Sequence, residues 1–181
     1  MEKILITRWH PRNLEIVSGM PNLKTLVLFD FNPSVDTLVT FFRKLSLRKI
    51  ETLSIQYIPN AKEEFFVELS KLDFPMLKKL SFYQTWIDKI DASNNLTNNT
   101  FQTLVSKCPN LKFIYFGDNF GGSYLSNKKL MEIFEKRNIF ILFAQTRDQI
   151  SMERWFQKQD KNVYENYQKL KPMYLDVKSY Y

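Results

Sequence analysis

Residue types that usually carry chemistry or covalent cross-links are scarce in this chain of 181 residues. The single cysteine, Cys108, excludes an internal disulfide framework and favours a reducing compartment. It fits a packed position ahead of a strand, and a catalytic nucleophile would need a histidine nearby. The single histidine, His10, has no matched nucleophile or carboxylate set, which indicates an ordinary surface residue. Asp88 and Asp91 alone are too few for a metal site. We therefore expect no enzyme activity, no metal, no cofactor and no small-molecule substrate.

Long apolar runs are also missing. No stretch approaches the roughly 20 apolar residues that a membrane span needs. Residues 1–9 lack the long apolar region and the small-residue cleavage site of a secretory signal. We expect an intracellular protein in a reducing compartment, with the cytoplasm favoured and the mitochondrion and nucleus as alternatives.

What the chain does contain is apolar and basic. It is 44% hydrophobic and 15% aromatic, enough for one domain that buries about 70% of its unfolded surface. Its formal net charge of +7 favours acidic partners. Residues 147–181 carry 7 Lys or Arg against 5 Asp or Glu, so the C-terminal part is not a basic tail.

A Leu-x-x-Leu-x-Leu frame recurs along the chain and predicts parallel strands. Four copies are clear, and they are Leu23/Leu26/Leu28, Ile50/Leu53/Ile55, Leu77/Leu80/Phe82 and Leu111/Ile114/Phe116. A further copy fits Met1/Ile4/Ile6, and another fits Ile139/Ile141 after Lys136. A repeat of this period indicates a solenoid, in which each unit stacks on its neighbours.

Segments of helical periodicity separate these strands. Apolar residues lie on one face of predicted helices at 35–49, 62–72, 99–107 and 127–137. Residues that favour a helix start precede three of them, at 33–34, 98–100 and 126–127. Pro21, Pro75 and Pro109 are expected to end helical structure before the next strand. About seven extra residues, within 84–95, are expected to form a loop at one rim.

The segment Cys108-Pro109-Asn110-Leu111 resembles the leucine-rich repeat family, in its intracellular ribonuclease-inhibitor-like and cysteine-containing forms. The resemblance covers residues 1–146, and Asn119 matches the family's Asn/Cys ladder position, where the other copies have Phe31, Ile58 and Thr85. It implies an α/β fold, a right-handed solenoid with five or six parallel strands on the concave face and helices on the convex face. Residues 1–22 would form the N-terminal cap, residues 147–171 a C-terminal capping helix, and residues 172–181 an aromatic tail.

Alternation along the strands predicts which side chains point to the concave face. They include Ser54, Gln56 and Ser81. A basic row of Lys24, Lys78, Lys112 and Arg137, broken only by Glu51, is also expected there. Several exposed bulky residues accompany it, and both features are typical of protein interfaces. The partner-binding residues predicted on this face are Lys24, Val27, Phe29, Lys78, Tyr83, Lys112, Tyr115, Arg137, Phe140 and Leu142. In the tail, Tyr174, Tyr180 and Tyr181 are predicted to contact a partner.

These features favour a non-catalytic protein-protein interaction scaffold, an accessory subunit of a larger assembly. One alternative is an RNA-binding component of a ribonucleoprotein, with lysines on phosphates and aromatic rings stacked on bases. A second alternative is a substrate-recognition module resembling F-box leucine-rich-repeat receptors, although residues 1–22 are too short for an F-box. The sequence also leaves open that the chain's own loops or tail cover the concave face.

Overall fold

Strands and helices alternate along the whole described part of the chain. The computed structural model describes residues 2–8, 10, 12–30, 33–46, 49–56, 63–83, 95–117 and 128–144. The strands are β1 (Lys3–Thr7), β2 (Thr25–Phe29), β3 (Thr52–Gln56), β4 (Lys79–Tyr83), β5 (Phe113–Gly117) and β6 (Phe140–Ala144). The helices are α1 (Arg12–Ser18), α2 (Val35–Ser46), α3 (Glu63–Ser70), α4 (Asn95–Lys107) and α5 (Lys128–Lys136). No helix in these ranges is long and apolar enough to cross a membrane.

The six strands form one parallel sheet in sequential order, from β1 to β6. The register places the repeated apolar positions side by side: Ile4, Leu26, Leu53, Leu80 and Ile114 follow one another across the first five strands. The α/β class and the parallel sheet predicted from the repeat are confirmed, and the sequential order is compatible with a solenoid-like arrangement. Residues 1–22 contribute β1, which the copy at Met1/Ile4/Ile6 predicted, and the short helix α1. The periodicity did not reveal α1.

The predicted alignment of the last strand is wrong by two residues. The repeat frame matched Ile139 with Leu26, whereas the structure pairs Ile141 with Ile114, the residue equivalent to Leu26. The cause is the end of α5. Asn138 has a left-handed backbone (φ 52°), and the amide of Ile139 donates to the carbonyl of Phe134 at 2.9 Å, which is a Schellman cap. The cap uses residues 137–139 before the strand begins, and a shift of two leaves the strand's faces unchanged.

A proline turn recurs before three of the strands. The amides of Leu23, Leu77 and Leu111 each donate to the carbonyl three residues earlier, at 3.1 to 3.2 Å. Pro21, Pro75 and Pro109 each occupy the second position of such a turn, where their fixed φ is favourable. The expectation that these prolines separate helix from strand is confirmed.

Helix starts were predicted with mixed success. Ser34 caps α2, because its hydroxyl accepts a hydrogen bond from the amide of Thr37 at 3.3 Å. Helix α4, in contrast, begins at Asn95, one turn before the predicted start. The predicted start at residue 99 therefore lies inside the helix. Accordingly, the hydroxyl of Thr103 donates to the carbonyl of Asn99, four residues earlier, at 2.8 Å, as threonine side chains do within helices.

One hydrophobic core lies between the sheet and the helices, and all five helices contribute to it. Aromatic rings cross from element to element: the ring centroids of Phe42 and Phe65 are 5.9 Å apart, and those of Phe66 and Phe82 are 5.3 Å apart. Such rings add about 0.5–1.5 kcal/mol per pair beyond the burial of their area. The helices therefore cover one face of the sheet, and the other face is where a candidate site must be sought.

Candidate functional site

The face of the sheet opposite the helices is called the second face here. Because side chains alternate along a strand, the first, third and fifth residues of each strand point to this face. Its described side chains are Lys3, Leu5, Thr7, Thr25, Val27, Phe29, Thr52, Ser54, Gln56, Lys79, Ser81, Phe113, Tyr115 and Phe140. It corresponds to the concave face of the predicted solenoid.

Most of the second face is buried, against expectation. Val27 is fully buried and Tyr115 is 4% exposed, so the prediction that these two residues are exposed to a partner is wrong. Phe113 is fully buried as well, while Phe29 and Phe140 are half-buried. Alternation assigned Val27, Phe29, Tyr115 and Phe140 to this face but not Phe113, and it carries no information about how far the face is buried.

The first strand is the open part of the second face. Leu5 is 50% exposed, although it pairs with the fully buried Val27 on the next strand. Lys3 and Thr7, on either side of Leu5, are also exposed. A buried apolar layer thus continues into an exposed apolar side chain at β1.

A buried polar cluster lies at the centre of the second face. The hydroxyls of Ser54 and Ser81 are 3.1 Å apart on adjacent strands, and the amide nitrogen of Gln56 donates to Ser54 at 3.0 Å. All three side chains are 1% exposed or less. Among the described residues, the amide oxygen Oε1 of Gln56 is buried without a hydrogen-bond partner. An unpaired buried acceptor is costly, so the oxygen of Gln56 lowers the stability of the fold at this point.

Aromatic rings flank this cluster on the side of β5 and β6. Phe113 and Phe140 pair across the two strands with ring centroids 5.9 Å apart and planes within 10° of parallel. The stack and Tyr115 form an apolar half of the second face, next to the polar half on β3 and β4. Apart from the half-buried Phe140, the side chains of the aromatic half named here are buried, as is the polar cluster.

A row of charged residues borders the second face at the amino ends of the strands. Consecutive backbone bonds of 2.8 to 2.9 Å link its members, Glu2, Lys24, Glu51, Lys78 and Lys112. The sequence predicted Lys24, Lys78, Lys112 and Arg137 with Glu51 as the one interruption. The structure corrects this: Glu2 begins the row, and Arg137 lies in the cap of α5, outside it. The sequence analysis did not include Glu2 in the row. Its position could have identified it, because Glu2 lies two residues before Ile4, as Lys24 lies two residues before Leu26.

Carboxylates compensate two of the three lysines in this row. Lys24 Nζ lies 3.0 Å from Glu2 Oε1, and Lys78 Nζ lies 2.7 Å from Glu51 Oε2. The hydrogen bond to Glu2 raises the pKa of Lys24, and the hydrogen bond from Lys78 lowers the pKa of Glu51. Lys112 has no ion pair within the described segments. The row is therefore an alternating surface and not a continuous cationic stripe.

Several predicted site residues cannot be placed. The side chains of Tyr83 and Leu142 lie outside what the structure describes, although the backbone of each belongs to a strand. The tail residues Tyr174, Tyr180 and Tyr181, most of the insertion at 84–95, and Asn119 also lie outside the described residues.

The two residues considered for catalysis lie apart from the second face. Cys108 is fully buried in the core on the helix side, and burial raises the pKa of its thiol to about 12. His10 is exposed, and its Nδ1 accepts a hydrogen bond from the amide of Arg12 at the start of α1. No group of three potential metal ligands occurs in the described ranges.

No protein-family model matches the sequence, and no curated protein or solved structure matches it either.

Proposed function

We propose that this chain is a non-catalytic scaffold of the leucine-rich-repeat type, which binds another polypeptide on the second face of its sheet. It would serve as a small accessory subunit of a larger intracellular assembly. The observation that carries the proposal is the continuity of the second face, where the buried layer around Val27 runs into the half-exposed Leu5. Exposed apolar surface that continues from a buried apolar layer is typical of interaction sites.

The chemistry of the second face indicates the kind of partner. An apolar segment of the partner would contact Leu5, and the exposed Lys3 and Thr7 on either side of it would border that contact. Lys112 and the net charge of +7 favour an acidic polypeptide. Such a partner combines an apolar anchor with carboxylates at its rim.

RNA binding is less well supported than protein binding. Phosphates would have to approach a row in which Glu2 pairs with Lys24 and Glu51 with Lys78, so a carboxylate competes for each of these two lysines. Binding through phosphates would weaken steeply with added salt, whereas binding through an apolar polypeptide would change little. A salt titration of binding therefore distinguishes the two functions.

Cross-linking mass spectrometry of the chain in its native source tests the proposal. An amine-reactive reagent should join Lys24, Lys78 and Lys112, along the second face, to lysines of another polypeptide. Lys44 on helix α2 is exposed on the helix side and serves as the internal control. The proposal fails if the chain is recovered only as a monomer, or if Lys44 forms links to other polypeptides as often as the second-face lysines do.

A further inference from the structure

Strand β1 forms one edge of the sheet, because it pairs with β2 and with no other described strand. The carbonyl of Glu2 accepts a hydrogen bond from the amide of Thr25, on the β2 side, at 2.9 Å. Backbone groups alternate in direction along a strand, so those of Leu5 and Thr7 point away from β2. Both residues are exposed. An edge of this kind is a template on which a further strand can pair.

The sequence of β1 is complementary to itself when a second copy of the strand runs antiparallel with Leu5 opposite Leu5. Ile4 then lies opposite Ile6, and Lys3 lies opposite Thr7. Directly opposite residues share a face of the sheet, so leucine meets leucine on the second face and isoleucine meets isoleucine on the core side. A two-fold axis at Leu5 generates this pairing, and two-fold symmetry is the commonest symmetry of protein dimers.

The charges at the two ends of β1 are complementary in the same register. Glu2 precedes the strand and Arg8 follows it, so Glu2 of one copy lies opposite Arg8 of the second copy. Within one copy, Lys24 Nζ lies 3.0 Å from Glu2 Oε1, and Arg8 Nε lies 3.7 Å from Asp30 Oδ2. Pairing of the two strands would join these ion pairs into a row of alternating charge at each end. Opposite charges that meet in this way select one register and one partner.

Other antiparallel registers of β1 on itself fit less well. A shift of two residues pairs only residues 3–5 or 5–7 of each strand, and it places Ile6 opposite Glu2 or Ile4 opposite Arg8. A shift of one residue sets the outward backbone groups of one copy against the inward groups of the other, so the ladder of hydrogen bonds is lost. The register centred on Leu5 matches apolar residues, opposite charges and backbone bonds together.

We propose that two copies of this chain pair antiparallel through β1, with Leu5 at the two-fold axis, and form one continuous sheet. The pairing uses the β1 edge of both copies, so it is closed and does not grow further at that edge. The two second faces join, and the exposed Leu5 side chains lie side by side at the centre. The inference does not depend on the proposed function, although a partner polypeptide would then meet a doubled apolar patch.

Sedimentation velocity of the purified full chain measures this association directly. The edge of a five-residue strand is a small interface, so the concentration series should reach about 100 μM. We expect a reversible equilibrium between monomer and dimer. A folded chain that sediments as a monomer at every concentration would overturn the inference. A growing series of larger oligomers would overturn it too, because a closed dimer forms none.

Two charge reversals test the register. Glu2→Arg opposes two arginines and Arg8→Glu opposes two glutamates, so each variant alone should have a dimer dissociation constant at least about tenfold higher than the native chain. An equimolar mixture of the two variants again places opposite charges together, and it should form a heterodimer with the native affinity. Lys71→Glu, which reverses an ion-paired cation at the end of α3, should leave the dissociation constant unchanged. A mixture that stays monomeric, although both variants are folded, would contradict the register.

A cysteine at position 5 gives a second readout. Hydrogen-bonded residues opposite each other in an antiparallel pair have Cα atoms about 5.5 Å apart, which a disulfide can span. Leu5 and Ile16 are 50% and 47% exposed, and the native Cys108 is fully buried. Under mild oxidation, Leu5→Cys should therefore form a disulfide-linked dimer at least about tenfold faster than Ile16→Cys. Equal rates would overturn the inference. These measurements use the purified chain alone, so their failure would leave the proposed function standing.

Discussion

At the scale of single residues, burial decides what a side chain can do. Cys108 was identified from the sequence as a packed residue ahead of a strand, and it is fully buried there. Ser54, Gln56 and Ser81 were assigned to the concave face by alternation, but nothing in their identity indicated a buried cluster with an unpaired acceptor. Polar residues in a strand are normally exposed, whereas these three are buried.

The thiol of Cys108 should be unreactive in the folded protein. Burial raises its pKa from the ordinary value of 9.0 to about 12, so the nucleophilic thiolate is scarce below pH 12. We expect negligible reaction with a disulfide reagent at pH 8, and complete reaction after unfolding in urea. Fast reaction in the native state would show that Cys108 is accessible.

The same pKa shift makes stability depend on pH. The unfolded chain releases the thiol proton near pH 9 and the folded chain near pH 12, so stability is retained below pH 9 and lost as the pH rises through this window. The free energy of unfolding should therefore fall between pH 9 and 12 by more in the native chain than in Cys108→Ala. Other groups that titrate between pH 9 and 12 affect both chains equally. Subtracting the fall measured for Cys108→Ala from that of the native chain therefore isolates the contribution of the thiol.

The polar cluster makes a second prediction at this scale. Gln56→Met keeps the approximate shape of the side chain and removes the unpaired oxygen, so it should be neutral or stabilise by about 1 kcal/mol. Ser54→Ala removes the acceptor for Gln56 and the neighbour of Ser81, and should destabilise by about 1–3 kcal/mol. Urea unfolding of both variants measures the two changes. A larger loss for Gln56→Met than for Ser54→Ala would contradict the hydrogen bonding described here.

At the scale of elements, the repeat frame predicts strands well where each one follows a proline turn. Leu23, Leu77 and Leu111 all follow such turns, and the strands after them pair in the predicted register. Strand β6 follows a helix cap instead. Its register depends on where α5 ends, and the left-handed Asn138 that ends it cannot be told from sequence periodicity alone.

Substitutions at Asn138 test this cap. Asn138→Gly should preserve stability, because glycine adopts the left-handed backbone without strain. Asn138→Ala should cost about 1 kcal/mol, because alanine keeps the β-carbon and loses the polar side chain whose local hydrogen bonding makes asparagine tolerant of that conformation. Thermal or urea unfolding measures the difference, with Asn138→Gly as the matched control. Equal stabilities would indicate that residues 137–139 do not form the cap, and that the register of β6 needs another explanation.

At the scale of the whole molecule, the sheet has one face covered by helices and a second face on which most of the described side chains are buried and those of β1 are exposed. Periodicity specifies the first face, since apolar positions on strands and helices must meet. It assigns Val27 and Tyr115 to the second face but gives no sign that they are buried, because strand alternation assigns a side chain to a face and not to a degree of burial. The fold could therefore be predicted in outline, and the candidate site only as a set of positions.

The central claim is that the second face binds a polypeptide, and a pair of matched surface substitutions tests it most directly. Leu5 on the second face is 50% exposed, and Ile16 on helix α1 is 47% exposed, so Leu5→Asp and Ile16→Asp make equal changes on opposite layers. Each variant is expressed in the native source, and the amount of co-purified partner is measured by quantitative mass spectrometry. We expect Leu5→Asp to reduce partner recovery at least about tenfold, the loss of about 1.4 kcal/mol of binding free energy, while Ile16→Asp retains it. Equal recovery with the two variants, or a greater loss with Ile16→Asp, would contradict the claim.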